Sequence, residues 1–444
     1  MARHLDRSIG LWGTVFTLIG YVIGASIFIL PGELAATSGP AVVLSYWLAA
    51  VPAVFCCVVS AQVGSVFPVS GANYVAVSRV VSPLCGFLMV WVLLAALAVG
   101  VPLVAYGLAD YLAYFVTGLD RTTVAMVAVA GFCGVNILGA RMSVWAQSVM
   151  VVGFMAALLV FGLGGLPHVR PELFVPLFPR GVLPILGAAI PAYFSYIGFL
   201  VIVELSEEIR EPARTIPRAL AISLGCVLFS YSLVGVVLPG VVPWTELGAT
   251  DAPVATAAAT FLPPALAGVV SLGALLAAAT TLNGIILGQS RDVFALARDR
   301  ILPDIFGRLN GRFHSPDVAI VTLGVLALGG VAIGATIAEY ATVAVLGFMA
   351  FQIFAGIGVY LLPRRGLARF EQAAFRLGPR TLPFFSVGLV LLSGLFIALT
   401  ALQSARTVGV FAGYVVAGIV YYRGRRSWLR RQGIDLEGML RRDP

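Results

Sequence analysis

Runs of roughly 20 apolar residues, each long enough to cross about 30 Å of hydrocarbon as a helix, recur along this chain from end to end. A bilayer offers no water to backbone polar groups, so a spanning segment has to close its hydrogen bonds within itself, as a helix does. The runs lie at 12–36, 41–67, 84–116, 122–138, 144–166, 183–208, 218–240, 264–297, 318–336, 339–362, 383–401 and 406–422. They predict an all-α membrane protein of twelve transmembrane helices. Composition agrees: 60% of the 444 residues are hydrophobic and 11% charged, against about 25% charged in soluble domains. The sequence therefore reads as a single transmembrane domain, 1–444.

Charge sets the expected orientation. Every basic side chain other than the three histidines is an arginine, because lysine is absent. With the amino terminus inside, 24 of the 28 arginines fall in the tail and the connections on one side, leaving Arg121, Arg170, Arg180 and Arg406 on the other. That bias predicts a protein of the cytoplasmic membrane with both termini cytoplasmic. No cleavable signal is expected, since Arg3, His4 and Arg7 lead straight into the first span. The net charge of +8 lies beside the membrane, so lipid head groups, not nucleic acid, are the expected partners.

Several function classes are disfavoured. Cys56, Cys57, Cys85, Cys133 and Cys226 sit in apolar spans, where they pack as small hydrophobes, and neither disulfides, metal nor a cofactor is expected. His4, His168 and His314 lie in the tail or connections, without a paired His and carboxylate cluster, so no catalytic constellation is expected. An acidic ring or repeated carbonyl motif that would suggest a channel is lacking too.

Two spans are interrupted by glycine and polar residues at corresponding places: Gly20 to Phe28 in the first and Ala192 to Phe199 in the sixth. Lying five helices apart, they run in opposite senses, as an inverted repeat of five plus five would produce. The predicted division is 1–166 for the first repeat, 183–362 for the second, 383–422 for two additional helices and 423–444 for a cytoplasmic tail. Helices 1 and 6 are expected to be unwound at mid-membrane, which is tolerated where the freed backbone lines a cavity. The half-helix after such a break aims N–H groups and a positive dipole end at that cavity, which favours a carboxylate.

These residues resemble the amino acid, polyamine and organocation (APC) transporter superfamily, with its LeuT-type fold, over essentially the whole chain. The matching pieces are Ile23 to Phe28 for the Gly-Ser-Gly-Ile-Phe break, Phe67 to Tyr74 for the motif after helix two, and Phe194 to Phe199 for the break in helix six. Glu207 to Pro212 with Ile216-Pro217 follow helix six, and Arg291 through Ala297 to Pro303 end helix eight. The resemblance implies that a substrate carboxylate meets the N–H groups of Gly24, Ala25 and Ser26. It implies that the ammonium meets carbonyls near Ile23 and around Phe194, Ser195 and Ile197, beside Gly198. Phe194 falls where relatives place a ring that closes over the substrate. Ser26 replaces the family's second glycine and either adds a donor or narrows the site.

Departures from the family shape the functional reading. Leu200 stands where some relatives carry an acidic residue, and Ile285 where some stack an aromatic on the substrate. A buried cationic side chain would lack a partner there, so the expected activity is secondary active or exchange transport of a small, neutral L-amino acid by alternating access. The alternatives are a cationic amino acid, polyamine or other organic amine, or a ligand sensor that does not transport. Helix five lacks the lysine that several relatives carry near Val149 to Phe154. Glu204, inside the sixth span, is the candidate for proton coupling, because intramembrane carboxylates are costly. Thr280 or Thr281 could instead hold sodium or bond back to their own helix. Glu207 and Glu208 are expected to pair with Arg210, Arg214 or Arg79 as an inner gate.

Overall fold

The computed structural model describes residues 7–113, 115–116, 118–250, 252–333, 337–365 and 367–442. The helices are α1 (Leu11–Val22), α2 (Ser26–Ser38), α3 (Val42–Val66), α4 (Ala72–Val80), α5 (Pro83–Ala113), α6 (Arg121–Ile137) and α7 (Ala140–Gly165). After α8 (Leu183–Tyr193) and a 3-10 segment, Phe194–Leu205, come α9 (Pro212–Val241) and the short α10 (Trp244–Leu247) and α11 (Pro253–Phe261). Then follow α12 (Pro264–Arg298), α13 (Asp317–Ile333), α14 (Ile337–Arg365), α15 (Leu367–Gln372), α16 (Thr381–Gln403), α17 (Ala405–Arg431) and α18 (Leu436–Arg442). Among the described residues the only β pairing is one isolated bridge, Ile9 to Ile209.

Among the described residues, nine helical stretches are long and apolar enough to cross a bilayer, and α6 and Asp317–Ala332 are shorter apolar helices. The first stretch, Leu11–Val66, has 56 residues, about 84 Å if straight. It is interrupted at Ile23 to Ala25 and again at the turn Gly39–Ala41. Local chemistry explains several starts. Asp120 caps α6 by accepting the Thr123 N–H at 2.7 Å, and prolines open α9, α11 and α12, where a missing N–H costs nothing.

The core forms where α1 packs between α7, α9, α12 and the 3-10 segment, while α5 packs on α14 and α3 on α9. Large apolar side chains such as Trp145, Leu183, Leu391, Leu402 and Val410 point outward. In a soluble protein such a surface would aggregate, whereas a bilayer's acyl chains solvate it.

One expectation needs correction. The sixth span does not unwind as the first does: α8 passes into a 3-10 helix of 12 residues, far longer than the usual three or four. Pro191 removes an N–H from the last turn of α8. Gly198 lets the tightened segment lie against α1, where an added Cβ would stand 2.8 Å from the Val22 nitrogen. Beyond 423, α17 runs on to Arg431, and Arg426 pairs with Glu437 of α18 at 2.8 Å.

Candidate functional site

The first break is built around Gly24. Its φ is +35°, on the side of the map that glycine enters without a Cβ penalty, and an added Cβ would lie 1.7 Å from Thr281 Oγ1. That threonine, on α12, accepts the Ala25 N–H at 3.2 Å. Its neighbour Thr280 donates to Gly20 O at 2.9 Å or to Ala277 O at 2.6 Å. Both hydroxyls thus brace α1 or bond back to α12. Among the described residues no backbone acceptor reaches the Gly24 or Ser26 N–H.

Tyr231, on α9, joins the two interrupted segments. Its hydroxyl lies 2.7 Å from Ser195 O and 3.1 Å from Val22 O, both able to accept its hydrogen, and 3.2 Å from Ser26 Oγ. Ser26 Oγ in turn donates to Ile23 O at 2.8 Å. The ring is fixed by Tyr46, stacked at 4.9 Å, and by Tyr196, edge-on at 5.1 Å. Sequence reasoning passed over Tyr231, although Ser230-Tyr231-Ser232 is a polar run inside an apolar span and was a usable signal. Removing the hydroxyl in Tyr231→Phe leaves a buried carbonyl without its donor and is expected to destabilise the detergent-solubilised protein by about 1–3 kcal/mol. An unchanged unfolding midpoint would show that other donors replace it.

A cavity of about 30 Å³ opens beside these groups, space for roughly one water. The first break contributes Tyr21, Val22, Ala25 and Ser26, and the 3-10 segment Phe194, Ile197 and Gly198. Thr281 and Ile285 of α12 and Ala344 and Phe348 of α14 close it, with Ala96, Gly100 and Val104 of α5. Of the expected ligands, Ala25, Ser26, Phe194, Ile197, Gly198 and Ile285 therefore line the cavity. Ile23, Gly24 and Ser195 stand behind it, with two of their carbonyls turned to Ser26 and Tyr231. Tyr21 and Phe348 were not anticipated.

Beside the first break, where some relatives place a lysine, the neighbours of Gly20 are the Gln147 amide and Val151. Gln147 belongs to a buried polar network in which Asn283 donates to Gln147 Oε1 at 2.9 Å and Asn136 donates to Asn283 Oδ1 at 3.0 Å.

At the arginine-rich end the ion pairs differ from those expected. Glu208 pairs with Arg291 at 2.8 Å, each 1% exposed, and Glu207 with Arg298 at 3.4 Å. Arg79 pairs with Asp299 at 2.8 Å, and Tyr74 also donates to that carboxylate. Arg214 meets Glu211 on the exposed surface, and the Arg210 N–H donates to Ile9 O at 2.8 Å. The partners come from α12 because its last turns lie directly against the residues that follow the 3-10 segment. Glu204 is buried, and its Oε1 accepts from Asn73 at 2.5 Å.

Comparison with known proteins agrees with this architecture. The sequence profile of the amino acid permease family matches residues 9–421. Over 344 residues the chain is 27% identical to the branched-chain amino acid permease BcaP of Bacillus subtilis, covering 73% of this chain and 74% of that one. It is 31% identical over 438 residues to Rv1999c, an uncharacterized transporter of Mycobacterium tuberculosis, covering 96% and 93%. It is 30% identical over 337 residues to the mitochondrial cationic amino acid transporter 3 of Arabidopsis thaliana, covering 70% and 54%.

Proposed function

This chain belongs to the amino acid permease family, within the APC superfamily, a premise from which we propose that it carries a small neutral L-amino acid across the cytoplasmic membrane. It is a transporter and not an enzyme. The proposed mechanism exposes one mid-membrane cavity alternately to either side. Twelve crossings arranged as a five-plus-five inverted repeat, with both termini cytoplasmic, complete the reading.

The observation that carries it is the cavity's division of labour. Among the described residues no backbone acceptor reaches the Ser26 N–H at the start of α2 or the Gly24 N–H before it, as a carboxylate needs. The carbonyls of Ile23 and Ser195 offer acceptors to an ammonium, with Phe194 as the closing ring. Ala25, Ile197, Gly198 and Ile285 leave apolar room for the side chain. At about 30 Å³ the cavity is too small for an amino acid, so binding requires α2 and the 3-10 segment to separate. Glu207, Glu208 and Arg79, with their partners, form the gate at the arginine-rich end, and a proton taken up at Glu204 is the coupling ion.

A cationic amino acid is the second reading, favoured by the name of the Arabidopsis relative. Against it, no carboxylate among the described residues lines the cavity, and an unpaired buried cation is costly. Purified protein in proteoliposomes, tested with radiolabelled leucine, valine, alanine, arginine and putrescine, is expected to accumulate the neutral amino acids. Uptake of arginine or putrescine alone would reverse the assignment, and background uptake of all five would remove it.

A further inference from the structure

Between the substrate cavity and the arginine-rich end lie two buried carboxyls, Glu204 at the end of the 3-10 segment and Asp292 on α12, 1% and 0% exposed. They face each other closely enough for one to hydrogen bond the other once either carries a proton. Each has one oxygen committed: Glu204 Oε1 accepts from Asn73 at 2.5 Å, and Asp292 Oδ2 from Gln289 at 3.1 Å. Among the described residues no donor reaches the remaining oxygens, Glu204 Oε2 and Asp292 Oδ1, both buried. Asn73 Oδ1 and Gln289 Oε1 are likewise unpartnered.

The neighbouring cations are engaged elsewhere: Arg291 with Glu208, Arg298 with Glu207, and Arg79 with Asp299. From α4 the pair is faced by Asn73, from α12 by Gln289, and from α1 by the Tyr21 phenol, which lies within range of both carboxyl charges. Against the pair, Gly71 leaves no bulk, since a Cβ there would stand 3.9 Å from Asp292 Oδ1. Two adjacent carboxylates without a counter-cation cannot both ionise readily, whereas one proton between them supplies the missing donor to both.

We propose that Glu204 and Asp292 hold a single exchangeable proton between Oε2 and Oδ1, and that this proton is the coupling ion of the transporter. The inference rests on the transport reading above and adds a second carboxyl to it. Proton release takes the pair from one negative charge to two. The resulting repulsion separates the 3-10 segment from α12, two of the elements that line the cavity. Tyr21 links the two sites. Its ring lies where a Cβ on Gly198 would stand 2.4 Å from it and one on Gly284 2.2 Å, it lines the cavity, and its buried hydroxyl has no partner among the described residues.

Two measurements on the full-length protein in lipid test this. In the infrared difference spectrum between about pH 5 and about pH 9, the pair should contribute one protonated-carboxyl band, because coupled groups titrate as a unit. Glu204→Gln and Asp292→Asn should each remove or shift that same band; a band untouched by either overturns the proposal. In proteoliposomes, an outside-acid gradient should raise wild-type leucine uptake at least about tenfold, and either variant, eluting as a single species, should bring the ratio with and without gradient to about one. Gradient-driven uptake that persists in both variants, or wild-type uptake driven only by sodium, also overturns it. Wild-type leucine counterflow without any pH dependence would sink the coupling and leave the transport reading standing. No counterflow with any amino acid would sink the transport reading, and coupling with it, while the infrared band still decides whether a proton is shared.

Discussion

Gly24→Ala brings uptake to background while the protein still elutes as a single species. A residue with a Cβ at positive φ costs roughly 1–2 kcal/mol by itself, and here the Cβ would also meet Thr281 Oγ1 at 1.7 Å. The overlap is relieved by turning the Thr281 hydroxyl away or by withdrawing the first break from α12, and either removes the acceptor of the Ala25 N–H. Adding Thr281→Ala removes the colliding atom but not the dihedral strain, so the double variant should recover part of the uptake. Full activity in Gly24→Ala would show that the break does not need this geometry.

The second large effect is expected at Arg291. Removing the guanidinium in Arg291→Met leaves the Glu208 carboxylate buried and unpaired, a change worth about 3–5 kcal/mol of stability. It also strips Leu287 O and Ser290 Oγ of a donor. Combining it with Glu208→Leu should restore most of the thermal midpoint, since an apolar pair of similar size is tolerated where a lone charge is not. If the pair opens and closes the arginine-rich end, the apolar double variant stays shut and uptake remains low despite the recovered stability. Restored uptake would mean that the ion pair is structural.

Helical architecture was legible from the apolar runs, and the first break from Gly20, Gly24 and Ser26 matched with the interruption at Ala192 to Phe199, since glycines alone also serve close helix packing. The wall residues Phe194, Ile197, Gly198 and Ile285 followed from the resemblance. The 3-10 character of Phe194–Leu205 was hidden, since neither residue type nor periodicity separates a tightened helix from an unwound one over a few turns. The partners of Glu207 and Glu208 are not Arg210, Arg214 or Arg79 but Arg298 and Arg291, which reach them from α12, some 80 to 90 residues away, and no local pattern signals a pairing across that distance. Asp292 escaped notice beside Arg291, where it resembled half of a solvated charge pair. Only the packing of α12 against the 3-10 segment shows the arginine turned to Glu208 and the aspartate turned to Glu204.

The oxygens around Tyr231 set a tally of hydrogens. Val22 O, Ser195 O and Ile23 O converge on two hydroxyls, those of Tyr231 and Ser26, which bring only two hydrogens to the cluster. An ammonium carries three. On the proposed reading, a zwitterion arriving amine-first would add hydrogens to this cluster, whereas a carboxylate lacking the amine, or an N-trimethylated analogue, would add none.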